Sequence, residues 1–438
     1  MKILVINQHF HPEVASSGQI LTELCADMVK EGHLVTALTG KPSYRPAEES
    51  ERQGVDSIQI PKAEWKGVVG TFLYGIAKLI PNRYFELDKI FGINVVRTYT
   101  YSPRLREGIW RLMQRMVQYL TFFFTSFFTA LFLPKQDAVI YLSTPPLLNG
   151  VTAYFLKILK GSVCLYNIQD LYPDVAVKLG AIKNPLIIKA CGILESHLYR
   201  NSAVLIPVGD KMSKILLKKG VNPDKIEVIY NWMDTNLIKP VGKDTPFSRE
   251  RDLVDKFVVM YSGNMGLSQG LETVLECARI TRDKPIDYLM IGGGANRDQL
   301  MEMAEQWRLN NVRFLPYQPK EKLSESLGSA DIHLVPLKSG LSNYSVPSKV
   351  YGIMASGKPI VASVDEDSEI ASIVAKAGCG LVVEPENARA LAEAISTLYH
   401  DTDKLDKLGQ RGREYLEKTI TREISTRRYM EAIYRVTD

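Results

Sequence analysis

"FVVMYSGNMGLSQGLETVLECARI", residues 257–280, runs from large apolar residues through a loop holding Gly263, Gly266 and Gly270 into a segment with helical apolar spacing. Strand, glycine loop and helix in that order make half of a β-α-β unit, since parallel strands need a long crossover between them. Glycines at such a junction let backbone N–H groups approach an anion, and the helix N-terminus adds partial positive charge. A tight turn that needs glycine explains one such loop equally well. The arrangement repeats in "MIGGGANRDQL", 290–300, with Gly292, Gly293 and Gly294. It is echoed in "YSVPSKVYGIMASGKPIVAS", 344–363, where Pro347 and Ser348 set a turn and Lys349 stands at the entrance of a short apolar helix. Three anion-tolerant strand ends in one domain point to a phosphate-bearing ligand.

The same alternation continues on either side. Before residue 231 the strands read "KILVINQ", "HLVTALTG", "INVVRTYTY", "AVIYLS", "SVCLYNIQ", "AVLIPV" and "KIEVIY", with "GQILTELCADMVKEG" as the first helix. After it come "FVVMYSG", "DYLMIGGG", "NVRFLP", "IHLVPL", "PIVAS" and "GLVVEP", again separated by helices. Between them "NWMDTNLIKPVGKDTPFSRERD" is polar and broken by Pro240 and Pro246, a linker. Two doubly wound α/β domains are expected, with ligands at the carboxyl ends of the strands. The loops to watch in the first half are "HFHPEVASSG", "STPP" and "DLYPD", which make Glu13, Gly18, Ser143, Thr144, Asp170 and Asp174 site candidates.

A chain of 438 residues, 45% hydrophobic and 24% charged, suits two globular domains. The five cysteines are scattered with no CxxC pair, which argues against a zinc site or disulfide framework and for a reducing compartment. Only His9 and His11 stand close together, so no metal site is expected. Ile3–Ile6 is too short for a signal-peptide core and reads as a buried strand of a cytoplasmic protein. Net charge is only +5, yet residues 61–135 hold eleven Lys/Arg against four Asp/Glu. Inside that region "MVQYLTFFFTSFFTALFL", 116–133, carries no charge, and Arg104, Arg111 and Arg115 precede it on one helical face beside Trp110. A buried helix, a membrane span and a helix lying in the bilayer surface all fit. A span would divide the first sheet. The second basic-apolar segment, "KAEWKGVVGTFLYGIAKLIPNR" at 62–83, favours attachment of residues 62–135 to an anionic membrane over simple burial. No nucleic-acid partner is expected.

Taken together, these segments resemble the family 4 glycosyltransferases of the GT-B fold, retaining enzymes with a nucleotide-sugar donor. The resemblance runs from "HPEVASSGQILTELCADMVKEGHLVTALTG" through "NWMD" to "YSGNMGLSQGLETVLECA", "MIGGG", "ADIHLVPL" and "MASGKPIVAS". "QDLYPDVAVKLG" and "VPSKVYGIMASGKP" are similar to the bacterial cell-surface polysaccharide subgroup that includes L-fucosamine and colanic-acid-type transferases. The resemblance implies two Rossmann-like domains facing a cleft: an acceptor- and membrane-facing domain at 1–232, a linker at 233–252 and a nucleotide-sugar domain at 253–412. Helices at 413–438 would cross back to the first domain.

Several family side chains are missing. The usual Arg and Lys for the donor diphosphate fall on Asn264 and Gln269, and the paired glutamates on Tyr344 and Gly352. The developing charge on a UDP-like leaving group is therefore assigned to Lys349, the backbone after Gly263, and polar contacts from Asn264 and Gln269. Gly292, Gly293 and Ser348 complete the phosphate side, Gly352 leaves room near the ribose, and Tyr317 and Gln318 match the base loop. The family's catalytic-domain His falls on Gln169, so Gln169, Asp170, Asp174 and Glu13 are the catalytic candidates, with Gly18, Ser143 and Thr144 on the acceptor side. Helix capping is the structural alternative for the aspartates. "VDEDSEI", 364–370, looks metal-binding but reads as a solvated loop, and the resemblance implies neither an essential metal nor any cofactor beyond the donor.

The activity expected is transfer of a sugar from a UDP-N-acetylhexosamine or deoxy-aminosugar nucleotide to a polyprenyl-diphosphate-linked saccharide, at the cytoplasmic face of the inner membrane. A sugar-nucleotide epimerase of the same fold and a non-catalytic scaffold subunit are the alternatives.

Overall fold

A computed structural model of the chain describes residues 1–13, 16–42, 85–101, 109–142, 147–178, 180–342 and 346–437. The segment 62–83, Arg104, Ser143, Thr144 and Tyr344 lie outside the described residues. The chain divides into two compact units. Met1–Val208, Ser213–Ile229 and Thr426–Asp438 make the first, and Gly209–Met212 with Tyr230–Ser425 the second.

The first unit is built on seven strands: β1 (Lys2–Ile6), β2 (Leu34–Gly40), β3 (Phe85–Ile90), β4 (Ile93–Thr98), β5 (Ala138–Leu142), β6 (Val163–Ile168) and β7 (Val204–Pro207), in the order β3-β4-β2-β1-β5-β6-β7. All pairs are parallel except β3 with β4. That hairpin, absent from the sequence expectation, turns at Phe91 and Gly92, both with positive φ (52° and 80°), as a two-residue turn matched to strand twist requires. "KIEVIY" was expected as a strand and is not one. Glu227 and Ile229 donate to the Leu205 and Pro207 carbonyls (2.9 and 3.1 Å), but only an isolated bridge forms. The ladder next needs an N–H from residue 207, and proline has none.

Helix Ser16–Lys30 buries Ile20, Leu21, Leu24, Cys25 and Met28, the apolar face that its spacing predicts, and the chain leaves it through Gly32. The charge-free stretch forms most of helix Ile109–Phe132, which turns Phe122, Ser126 and Ala130 inward. Among the described residues no helix is long and apolar enough to cross a membrane. The last helix, Arg422–Thr437, buries Tyr429, Met430, Ala432 and Ile433. The expected crossing at 413 comes later: helix Thr402–Thr419 still puts Leu416 into the second unit's core, and the chain changes unit at Thr426.

The second unit has six parallel strands, β8 (Phe257–Asn264), β9 (Ile286–Gly293), β10 (Val312–Leu315), β11 (Ile332–Pro336), β12 (Ile360–Ser363) and β13 (Gly380–Val383), ordered β10-β9-β8-β11-β12-β13. Side chains alternate between two cores, as the period of a strand requires. Val258, Met260, Leu289, Ile291, Val335 and Ala362 join one, and Val259, Tyr261, Tyr288, Met290, Leu334 and Val361 the other. Burial on both faces explains why these strands read as continuous apolar runs. The stretch 233–252 is packed into this unit through Ile238 and Phe247, with a short helix Pro246–Arg249.

Candidate active site

Gly263 on β8 and Gly292 on β9 are register partners, both with φ values open only to glycine (146° and 142°). A Cβ on Gly292 would collide with the Gly263 carbonyl oxygen. The backbone alone thus forms this end of the sheet, reinforced by Met265 N–H donating to the Gly293 carbonyl at 2.8 Å. Lys349, at the start of helix Lys349–Ala355, reaches the same place. A Cβ on Gly263 would lie 3.5 Å from its Nζ. The amine donates to Tyr261 Oη and Gln269 Oε1, each at 2.8 Å, and stands 4.0 Å above the Tyr261 ring. Burial pushes it down to about 7. The structure therefore brings together Gly263, Gln269, Gly292, Gly293 and Lys349, residues spread over more than eighty positions of sequence.

The other donor-side candidates sit around this group. Asn264 is exposed, and its carbonyl accepts from Tyr261 Oη at 2.6 Å. Tyr317 Oη donates to the Gly293 carbonyl at 3.3 Å, and Gln318 Nε2 to the Pro316 carbonyl at 2.8 Å. Ser348 is half-buried directly before Lys349. Gly352 is buried, and a Cβ there would meet Met233 and Ile238 at 3.5 and 3.8 Å, so its open side faces the stretch expected as the linker.

In the first unit the candidates fall at ends of β1 and β6. Glu13 is buried, with Oε2 2.6 Å from His9 Nδ1. Gly18 lies in the first turn of helix Ser16–Lys30, where a Cβ would press on the His9 backbone at 3.2 Å. Gln169 Nε2 donates to Asn167 Oδ1 at 2.8 Å, and Asn167 Nδ2 donates in turn to Tyr429 Oη. Asp170 is half-buried near Tyr172, whose hydroxyl is raised first by burial and then by that carboxylate. Asp174 begins helix Asp174–Lys178 and pairs with Lys219 Nζ at 2.5 Å, which also holds the buried Glu195 at 2.7 Å.

The acidic run 364–370 is not the exposed loop that the sequence suggested. Asp365 accepts from the Gly340 N–H at 2.9 Å, Ser368 caps helix Glu369–Ala377, and the buried Glu369 accepts from the Lys211 N–H at 2.7 Å and Tyr230 Oη at 3.1 Å. Only Glu366 and Asp367 face solvent, because the other positions close a turn and a helix end. Among the described residues no three His, Cys, Asp or Glu are grouped to hold a metal. Sequence reasoning passed over Tyr261, Asn167 and Tyr429. For Tyr261 a signal existed: two residues before Gly263, it lies on the same side of the strand. Asn167 and Tyr429 are 262 positions apart, beyond any local pattern.

Residues 244–415 match the family model of the group 1 glycosyl transferases. The chain is 26% identical to the putative colanic acid biosynthesis glycosyl transferase WcaI of Escherichia coli K12 over 99% of its own length and 100% of that protein's. It is 25% identical to the probable glycosyltransferase WbjE of Pseudomonas aeruginosa over 84% of this chain and 92% of the other. Among solved structures, Anabaena HepE in complex with UDP and glucose superposes with a TM-score of 0.69 over 100% of both chains at 15% identity, a likeness of fold. The fold is the GT-B fold, and the match to the group 1 glycosyl transferase model lies in the second unit, at residues 244–415.

Proposed function

We propose that the protein moves a sugar, with retention at the anomeric carbon, from a UDP-N-acetylhexosamine or deoxy-aminosugar nucleotide to a polyprenyl-diphosphate-linked saccharide of a cell-surface polysaccharide. The observation that carries this reading is the meeting of Gly263, Gly292 and the Lys349 amine at one end of the second sheet. Bare backbone and one cation suit a diphosphate. WcaI, named for colanic acid biosynthesis, supports the pathway, and HepE with bound UDP supports the base.

In this mechanism the acceptor hydroxyl oxygen bonds to the anomeric carbon on the face that the diphosphate leaves, as the carbon–oxygen bond to the diphosphate breaks. The hydroxyl proton passes to the departing phosphate, so no protein base is obligatory. Lys349, Asn264, Gln269 and Ser348 offset the charge that builds on the leaving group, which makes an essential metal unnecessary. Tyr317 and Gln318 receive the base, and Gly352 remains the ribose-side position. Gln169 and Asp170 contact the donor sugar or the acceptor. Asp174 is assigned to the same site with less support, since its carboxylate already pairs with Lys219. Glu13, Gly18, Ser143 and Thr144 serve the acceptor side.

The lipid acceptor calls for contact with a membrane. Met116, Leu120, Phe124, Phe128 and Phe132 recur every fourth residue along helix Ile109–Phe132 and are all exposed, with Phe124 and Phe128 at 54% and 57%. Phe155, Ile158 and Leu159 of helix Leu148–Lys160 are exposed too, and Arg115, Lys135 and Lys157 supply solvent-facing cations. An apolar face with basic residues suits a helix lying in an anionic bilayer surface, peripheral and on the cytoplasmic side.

The test is UDP release dependent on a lipid-linked acceptor, measured for the wild type, Lys349→Ala and Asp170→Ala. Loss of turnover in both variants is expected, and unchanged turnover overturns their roles. Conversion of donor without acceptor would make the protein an epimerase. Nucleotide binding with no turnover of any donor would make it a scaffold.

A further inference from the structure

The geometry points to Tyr261 as a positioning residue for the donor diphosphate, one that aims the Lys349 amine at the β8 and β9 ends; this rests on the donor reading of Lys349 above. The hydroxyl of Tyr261 has one proton, and it goes to the Asn264 carbonyl at 2.6 Å. Its lone pairs are left to accept from Lys349 Nζ at 2.8 Å, while the ring lies 4.0 Å below the same nitrogen. Gln269 Oε1 takes a second ammonium hydrogen at 2.8 Å. An ammonium has three donors, so one is left for a ligand. Tyr261 is fully buried and fixed in the strand two residues before Gly263, so the amine is held under that glycine by a rigid floor. Asn264 and Gln269 occupy the positions where cations were expected, and this chain instead brings its cation from residue 349, at the entrance of a different helix.

The charge balance follows. Among the described residues no carboxylate lies within ion-pair reach of Lys349. The titratable group facing it is Tyr261, and Tyr317, whose hydroxyl is bonded to the Gly293 carbonyl, stands near Tyr261 in turn. Burial alone brings the amine to about 7 in the free protein. A diphosphate raises it again, so binding takes up a proton above that pH and affinity falls as pH rises through 7 and beyond. Removing the Tyr261 hydroxyl takes an acceptor from the charged form and lowers the free-protein value further. Below both values the two proteins bind alike, and above them the variant binds more weakly.

The experiment is calorimetric titration of the full chain with UDP-N-acetylglucosamine, UDP-N-acetyl-L-fucosamine and UDP-glucose from pH 5.5 to 8.5. These diphosphate diesters have no phosphate proton to titrate over that range. Tyr261→Phe is expected to match wild type at pH 5.5 and to lose about tenfold in affinity at pH 8, the size of one hydrogen bond to a charged group. Gln269→Ala, a substitution outside the core, is expected to weaken binding at pH 5.5 through its own lost donor contact and by about a further tenfold at pH 8, which keeps the test valid should Tyr261→Phe fold poorly. Lys349→Met is expected to abolish the pH dependence. An equal loss of affinity at every pH, or none, in both Tyr261→Phe and Gln269→Ala overturns the positioning role while leaving the donor reading intact. No binding of any of the three nucleotide sugars at any pH overturns the donor reading itself, and the inference with it.

Discussion

The two units cover their sheets differently. In the second, helices on both faces bury nearly all their apolar residues against β8 to β13, and glycines leave the backbone bare at the ends of β8 and β9. In the first, helix Ile109–Phe132 is as apolar as any core helix, yet it sends Phe122 and Ala130 inward and the Phe124–Phe128–Phe132 line outward. Apolar composition thus serves burial in one unit and both burial and display in the other. An exposed apolar line of this length is a feature that interaction surfaces share.

The sharpest way to break that contrast is on the helix itself. Phe122→Ala removes a fully buried ring and is expected to destabilise the protein by about 3–5 kcal/mol in chemical denaturation. A loss below about 1 kcal/mol would mean that the inward face is not a core face. In the second unit, Lys349→Ala is expected to lower kcat by about 10²–10³-fold, the cost of losing one preorganised donor to a developing charge, with the unfolding midpoint little changed.

Next in size is a pH effect confined to the second unit. His333 is fully buried on β11, its Nε2 2.9 Å from the Leu327 carbonyl, and burial pushes it from 6.5 down to about 4. Its folded value lies below its unfolded one, so the stability from keeping it neutral is complete above pH 6.5 and is lost as pH falls toward 4. The loss across that window is about 3 kcal/mol. Melting temperatures from pH 7 to 4 should show this slope in the wild type and a flatter one in His333→Gln; identical slopes would refute it. Ser368→Ala should cost about 1 kcal/mol in the same unit, since its hydroxyl accepts from the Ala371 N–H at 3.1 Å as a helix cap.

The smallest stability change is expected where the display is. Phe124→Ser with Phe128→Ser should alter folding stability by no more than about 0.5 kcal/mol per site. The same pair should abolish sedimentation with vesicles of anionic lipid. Retained vesicle binding would remove the membrane reading of this face, and a large loss of stability would show that the face is covered in the folded protein.

Most of both sheets is legible in the sequence, because strand and helix periods are local and each crossover leaves its own apolar spacing. The glycine loops and Lys349 were legible for the same reason. Failures came where a neighbour decides: "KIEVIY" has the composition of a strand, but Pro207 across from it lacks the needed N–H, and β3 is an edge strand of mixed polarity that exists because β4 pairs with it. The acidic run at 364–370 has the composition of a solvated loop, and Glu369 is buried only because Tyr230 and the Lys211 N–H meet it.

What the amino-acid order determined unaided is the alternation of strands and helices, the glycine-lined strand ends and the presence of one lysine among them. What only tertiary structure decided is the pairing of that lysine with Tyr261 across 88 positions, the hold of Tyr429 on Asn167, and which side of helix Ile109–Phe132 looks outward. The reason is one of range. Periodicity is written in neighbours along the chain, whereas a contact between distant residues depends on how every element between them packs.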